Sequence, residues 1–563
     1  MADKGQATVP GREYDAIFVR QVVPEEMTTG CPHQVLIVMR NTGSRPWSWK
    51  DGIVLAYAGP EGREPWGDAW IYLEKGETIA PGQEKSFDWE ANVMAGPGLY
   101  EFQWRMRREE QGWFGQSSPP GMMRVVEPGM EAVAGTVDLL AVAGESPRRF
   151  MGLGFEWDPG FWRPRKAGDD PERAWDAVVG RIRWMRPALV RMMLKVQWFG
   201  RDNGTRDWDS GEMRDLCRHL DVCQELGIQV ILSDWGPAGW DPLPEYGAGR
   251  QGYFEALADG LEYLCRRRGY DCIHYFVFVN EPQDGDWEKW SAAVKAVREA
   301  LGRRKLLPPL VMAGPDSTNW PGGINWFRRT VHDLPGAFDV WDVHRYHPAP
   351  GIKWGRLEGA IKAVWDLVPK NDGRPRLLCE SGAWTEGSNT SQNPLADTHE
   401  YGLLMADTVV QALRAGSDGL LAWMLDDSSH AGFTWGMFRS REAGQGLRPW
   451  FYAWALLTRN LPAGSRLLSM ETPSPLLRAL AASLPGGGWT VVLVNQGASL
   501  DLRVRIPGAA KQSFGRFTYA PGGLPSGKDG LPVPAEVFMA DFDSGLGLKC
   551  PAGSLTLITS NLL

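Results

Sequence analysis

Two glutamates carry the chemistry that this sequence offers. The stretch IHYFVFVNEPQ at 273–283 is a run of apolar and aromatic residues that stops at Asn280, Glu281 and Pro282. A short run of this kind, apolar on both faces, reads as a buried parallel strand. Further on, RLLCESGAW at 376–384 reads as a second short apolar strand, and it ends on Glu380. The C-terminal end of a buried parallel strand is where barrel enzymes keep their reacting groups. Two such carboxyls, one protonated and one ionised, are the minimal equipment for breaking a glycosidic bond.

Those carboxyls need elements to hold them. From residue 149 the chain alternates short apolar strands with helical stretches, eight times over. The strands read as RFMGLGFEW (149–157), ALVRMMLKVQW (188–198), IQVILSDWG (228–236) and IHYFVFVNE (273–281). LVMAGPDS (310–317), FDVWDVHRYH (338–347), RLLCESGAW (376–384) and GLLAWMLDD (419–427) complete the set. Between them, PERAWDAVVGRIRWM (171–185), GEMRDLCRHLDVCQEL (211–226) and DWEKWSAAVKAVREAL (286–301) carry apolar residues at helical spacing. The alternation predicts an α/β fold, a (β/α)8 TIM barrel over 149–459, with Glu281 on its fourth strand and Glu380 on its seventh. Short alternating strands with Gly/Pro turns predict an immunoglobulin-like β-sandwich over 12–130. A second β-sandwich is expected over 460–563, where helical spacing stops. Residues 131–148 read as a linker and 1–11 as disordered.

Composition narrows the field. A chain of 563 residues suggests two to four domains. The net charge is −8 with both signs interspersed and no basic stripe, which argues against nucleic acid as a partner. No apolar run reaches transmembrane length, so no membrane partner is expected. The N-terminal MADKGQATVPGREYD lacks the apolar core of a signal peptide. A cytoplasmic location is expected from it, with secretion open if a leader was removed. The seven cysteines fit no disulfide or zinc spacing and are expected as buried free thiols. No metal or cofactor is expected, because no His/Cys cluster has ligand spacing and no Gly-rich phosphate loop follows a strand. Tryptophan is over-represented at 28 residues, either as core filling or as stacking platforms for pyranose rings.

Asn-Glu-Pro on strand four, Glu on strand seven and eight alternating units together resemble glycoside hydrolase clan A, over residues 149–459. The layout is similar to families 39, 30 and 5. The resemblance implies a retaining glycosidase in which Glu281 is the acid/base and Glu380 the nucleophile, ~5 Å apart. An apolar wall and a nearby negative charge would keep Glu281 protonated. Asn280 would bond the sugar 2-hydroxyl. Arg191 lies alone in an apolar strand and needs an anionic partner; the clan places an Arg there, beside the nucleophile. His344 and Tyr346 share one face of strand six and match a His-x-Tyr of the clan whose Tyr bonds the nucleophile. His347 is expected to be structural. Trp423 matches the clan's stacking platform.

Glu156, Trp157, Asp234 and Trp235, at the ends of strands one and three, are candidate hydroxyl binders or platforms, or supports behind them. The loop at 235–253 reads as cleft wall. In the N-terminal region, RNTGSRPWSW (40–49), APGQ (80–83) and GLYEFQWRM (98–106) resemble the four-tryptophan immunoglobulin-like domain of autophagy receptors and bacterial multidomain proteins. Such a domain is either a brace for the barrel or a carbohydrate- or protein-binding module. PAGSLTLITS and VVLVNQ resemble the C-terminal sandwich of many barrel glycosidases. The implied partner is an oligosaccharide or polysaccharide with an equatorial, β-type linkage. Two other readings stay open: a non-catalytic carbohydrate-binding protein on a decayed barrel, and a transglycosylase using the same glutamates.

Overall fold

The computed structural model describes the chain outside residues 1–11, 61–64, 68, 75, 109–110, 128–134, 144–148, 161–170, 202, 236–249, 308, 320–322, 386–387, 428–431, 524 and 563. The segment read as disordered and most of the loop read as cleft wall therefore lie outside the described residues. The chain forms two compact units, 1–132 and 133–563.

The first unit is all β. Pro32–Asn41 pairs antiparallel with both Ala16–Val22 and Glu84–Asn92, while Trp104–Arg108 sits between Gly112–Ser117 and Ile53–Tyr57. Period-2 alternation turns Val35, Ile37 and Met39 inward from one strand and Trp104 and Met106 from another. Trp47, Trp66 and Trp104 are fully buried there. Trp89 packs edge-on to Trp104 at 4.8 Å. These tryptophans fill core, with Trp49 packed against them, whereas Trp113 is exposed. Asn41 ties the turns together, its Nδ2 donating to the carbonyls of Arg45 and Ile79, both at 2.9 Å.

The second unit holds the barrel. Its strands are β1 (Gly152–Glu156), β2 (Leu189–Leu194), β3 (Gln229–Asp234), β4 (Ile273–Val277), β5 (Val311–Ser317), β6 (Val340–Pro348), β7 (Arg376–Trp384) and β8 (Gly419–Ala422). Each pairs in parallel with the next, and β8 pairs back onto β1 to close the ring. Leu189, Ile231, Val340 and Leu377 fill one end of the interior with aliphatic side chains. Two residues further along the same inward faces, chemistry replaces packing: Arg191 follows Leu189 on β2, Ser233 follows Ile231 on β3, and Asp342, His344 and Tyr346 follow Val340 on β6.

Outside the ring run α1 (Pro171–Met185), α2 (Gly211–Leu226), α3 (Arg250–Glu262), α4 (Trp287–Arg303), α5 (Gly323–Asp333), α6 (Ala349–Lys353), α7 (Arg356–Trp365), α8 (His399–Arg414) and α9 (Pro449–Asn460). They form where apolar residues recur at helical spacing, as at Trp287, Trp290, Val294, Val297 and Leu301, the buried face of α4. Side-chain caps start several of them. Ser210 accepts from the Met213 amide, Asp286 from Lys289 and Thr398 from Tyr401, and such caps contribute about 1 kcal/mol each.

The C-terminal region forms a nine-stranded sheet, and here the linker reading needs correction. Thr136–Ala143, inside the span 131–148, is a strand of that sheet, parallel to Leu500–Arg505 and antiparallel to Arg466–Met470. Its alternation is the reason: Val137, Leu139 and Ala141 join the buried core while the residues between face out. One face of the sheet packs on itself through Leu493, Leu502 and Ile558. The other contributes Leu480, Val492, Val494 and Leu557 to the core that also contains the barrel helices. A buried ion pair from Arg478 to Asp407 of α8 fastens the two, and Gln496 Nε2 donates to the same carboxylate at 3.0 Å.

Candidate active site

Arg191 is the hub of the barrel mouth. It is fully buried, and its guanidinium reaches acceptors on or just beyond five strands. Nη1 donates to Glu380 Oε1 at 2.6 Å and to Glu156 Oε2 at 3.0 Å. Nη2 donates to Asn280 Oδ1 at 2.7 Å, Asp316 Oδ2 at 2.9 Å and Ser233 Oγ at 3.0 Å. An arginine at this depth is tolerated because its charge is neutralised and both Nη groups donate, while Nε has no acceptor among the described residues. Glu380 receives a second strong hydrogen bond, from Tyr346 OH to Oε2 at 2.6 Å. Burial raises the Glu380 carboxyl above its ordinary range, as does the charge of Glu281, while His344, Arg191 and the Tyr346 hydroxyl act to lower it.

Glu281 stands across from it. Its backbone is left-handed, at φ +48°, just past the end of β4, a conformation that costs a non-glycine residue about 1 kcal/mol or more. The wall expected around it is not apolar. The Glu281 side chain is 29% exposed and meets His344, whose Nδ1 lies 2.9 Å from Oε1. The same Nδ1 is 3.4 Å from Glu380 Oε2. His344 is fully buried, and its Nε2 lies 3.0 Å from Asp316 Oδ1. Burial acts to lower the imidazole, but the charges of Glu380 and Asp316 outweigh it and hold the ring well above the usual histidine range. One oxygen each of Glu281 and Glu380 and one ring nitrogen of His344 all lie within 4.8 Å of one another.

Aromatic rings border these groups. Trp423 and Trp235 lie nearly parallel, 6.2 Å apart at 27°. Phe433 meets Trp423 edge-on at 5.5 Å, and Trp435 meets Tyr346 in the same way at 5.7 Å.

Three candidates, read as hydroxyl binders, platforms or supports behind them, lie behind the groups at the mouth. Glu156 faces inward but is fully buried beneath the guanidinium, so it is a partner of Arg191 and not a hydroxyl binder. Trp157, the next residue, faces the other way and is no platform. It stacks on Trp175 of α1 at 5.4 Å and meets His219 of α2 at a tilt, 4.3 Å away, between ring and helices. Asp234 likewise points out of the barrel, where Tyr253 of α3 donates to its oxygens at 2.8 and 3.0 Å. In both strands the reason is period-2 alternation: once Glu156 and Ser233 face in, Trp157 and Asp234 must face out. His347, out of phase with His344 and Tyr346, is buried, and burial drops its ring to about 3.

Sequence reasoning passed over Asp316, Ser233, Phe433 and Trp435. For Asp316 a signal was there: LVMAGPDS ends on an acid just as strands four and seven do. Metal chemistry has a poor fit. Glu281, His344 and Glu380 offer clustered ligand atoms, but Arg191 and Tyr346 already occupy both Glu380 oxygens, and a fixed guanidinium charge beside the site opposes a cation. The arrangement sets one carboxyl between two strong donors and another in contact with an imidazole nitrogen.

No protein-family model and no curated protein matches the sequence. Solved structures do match. The catalytic domain of the glycoside hydrolase family 30 xylanase C from Talaromyces cellulolyticus is 13% identical at a TM-score of 0.55, over 75% of this chain and 99% of its own. The family 51 arabinofuranosidase from Xanthomonas axonopodis pv. citri gives 13% and 0.55, with coverages of 75% and 99%. A family 39 glycoside hydrolase from the gut symbiont Bacteroides cellulosilyticus gives 15% and 0.51, covering 96% of this chain and 100% of its own. The likeness is one of fold, an eight-stranded parallel barrel common to enzymes of clan A.

Proposed function

We propose that the chain is a retaining glycoside hydrolase that cleaves a β-type, equatorial glycosidic bond through a covalent glycosyl-enzyme intermediate. One observation carries the reading: a carboxyl oxygen of Glu281 and one of Glu380 come within 4.8 Å across the barrel mouth. Retaining glycosidases hold the two carboxyls ~5 Å apart, whereas inverting ones need ~6.5–9.5 Å to admit a water. Glu380 is the nucleophile. Arg191 and Tyr346 each donate to one of its oxygens, which favours the anion and aims it. Glu281 is the acid/base. It gives its proton to the leaving oxygen as the C–O bond breaks, then takes one from the water that opens the intermediate. Asn280, fixed by Arg191, is placed to bond the sugar 2-hydroxyl, and Trp423 is the platform beneath the ring.

Named relatives of fold include xylanases and arabinofuranosidases, so pentosides head the trial substrates. The test is a panel of aryl glycosides and oligosaccharides with the parent protein, Glu380→Gln and Glu281→Ala. Glu380→Gln should remove turnover of every substrate. Glu281→Ala should spare activated aryl glycosides far more than poor leaving groups, and azide should partly restore it as a β-glycosyl azide. No turnover of any glycoside by the folded parent would sink the proposal.

A further inference from the structure

Asp316 bridges the two cationic side chains of the site, and nothing in the reaction as described gives it a task. Its Oδ2 accepts from Arg191 at 2.9 Å and its Oδ1 faces His344 Nε2 at 3.0 Å. Its own carbonyl accepts the Glu281 amide at 3.2 Å. Asp342 lies beneath, fully buried, with both carboxyl oxygens lacking a donor among the described residues. Burial and the Asp316 charge push Asp342 well above the usual carboxyl range, which disposes it to keep its proton and to serve Asp316 as a donor. Asp316 is thereby left as the anion of that pair, and it drops to about 2 because Arg191 and His344 outweigh its burial.

We propose that Asp316 is a positioning residue for this reaction: it holds the Nε2–H of His344, turns Nδ1 to Glu281, and so keeps the acid's proton within a Glu281–His344 pair. The proposal rests on the functional reading above. Among the described residues, charged groups face the imidazole from four other strands. Glu281 faces it from the end of β4, Asp316 from β5 and Glu380 from β7, with Asp342 on its own strand and Arg191 of β2 behind Asp316. One proton is shared between Nδ1 and Glu281 Oε1, which leaves that pair neutral; Arg191 against ionised Glu380 and Asp316 then leaves the cluster one net negative charge. As a Glu380 oxygen bonds the anomeric carbon and the glycosidic C–O bond breaks, the electron pair of the broken bond goes to the leaving oxygen, which takes the proton from Glu281. The pair is then one proton short, and His344 keeps the Nε2–H that Asp316 accepts. When water attacks the glycosyl-enzyme, its oxygen bonds the anomeric carbon, the bond to Glu380 breaks, and the released proton returns to the pair.

Asp316→Asn tests this. Removing an anion from beside the pair makes the proton leave at lower pH. The alkaline limb of kcat/KM should fall by about one pH unit or more for glycosides with poor leaving groups, and hold still for activated aryl glycosides. Histidine labelled with 15N gives a readout independent of turnover, with eight histidines to assign. In the parent at pH 7, both His344 nitrogens should carry protonated shifts, and in Asp316→Asn that signature should be lost. Identical His344 shifts in parent and folded variant would overturn the proposal, as would an unmoved alkaline limb. If no glycoside is turned over at all, the functional reading falls, and the nitrogen shifts still decide the role of Asp316.

Discussion

Glu156 shows how one buried carboxyl can tie stability to pH. Burial pushes it to about 8, helped by the charges of Glu380 and Asp158 and opposed by Arg191. An unfolded Glu156 gives up its proton near 4.5. Between those values the folded chain binds one proton more than the unfolded chain at this position. Its contribution to stability therefore falls as pH rises from about 4.5 to about 8. Glu156→Gln removes the titration, so the difference in unfolding free energy between variant and parent should grow in the variant's favour across that window. Denaturant titrations at several pH values measure it, and a constant difference would contradict the assignment. Glu281, Glu380, Asn280, Arg191, His344 and Tyr346 were legible in the sequence as candidates because each interrupts an apolar strand or follows its end. The proton states around Arg191 were not, because they depend on which acids share one guanidinium, and that is settled by distances across the ring.

At the scale of the element, phase decides function. A strand that reads as uniformly apolar gives no hint of which neighbours face in, and a shift of one residue exchanges the two sets. That is why Glu156 and Trp157, adjacent and both strand-terminal, have opposite fates, as do Ser233 and Asp234. Trp157→Ala should cost about 3–5 kcal/mol by emptying the space between Trp175 and His219, while kcat/KM of the folded fraction stays near that of the parent. Trp423→Ala should do the reverse, lowering kcat/KM with a smaller loss of stability. Thermal unfolding and kinetics on the two variants separate these outcomes, and equal loss of kcat/KM in both would place Trp157 in the cleft after all. The eight barrel strands and the helices at 171–185, 211–226 and 286–301 were readable, since eight repeats of one pattern reinforce each other. Thr136–Ala143 was missed because its flanks are rich in Gly, Ala and Pro, and because its partners come from the far end of the chain.

Across the whole molecule, the barrel and the C-terminal sheet form one unit, and a strand from before the barrel completes that sheet. The chain thus enters and leaves the barrel through the same body. The buried Arg478–Asp407 pair sits at this junction, and losing either partner of such a pair costs about 3–5 kcal/mol. This scaffold brings strand ends far apart in sequence to within hydrogen-bond reach of one guanidinium, which only a closed ring can do. What the ring is closed for is tested most directly by the configuration of the sugar it first releases. Proton NMR on a β-glycoside substrate, recorded before mutarotation, should show the β-anomer as the first product. That is the result two carboxyls ~5 Å apart require. An α-anomer released first would contradict the double displacement, even if Glu281 and Glu380 both proved essential.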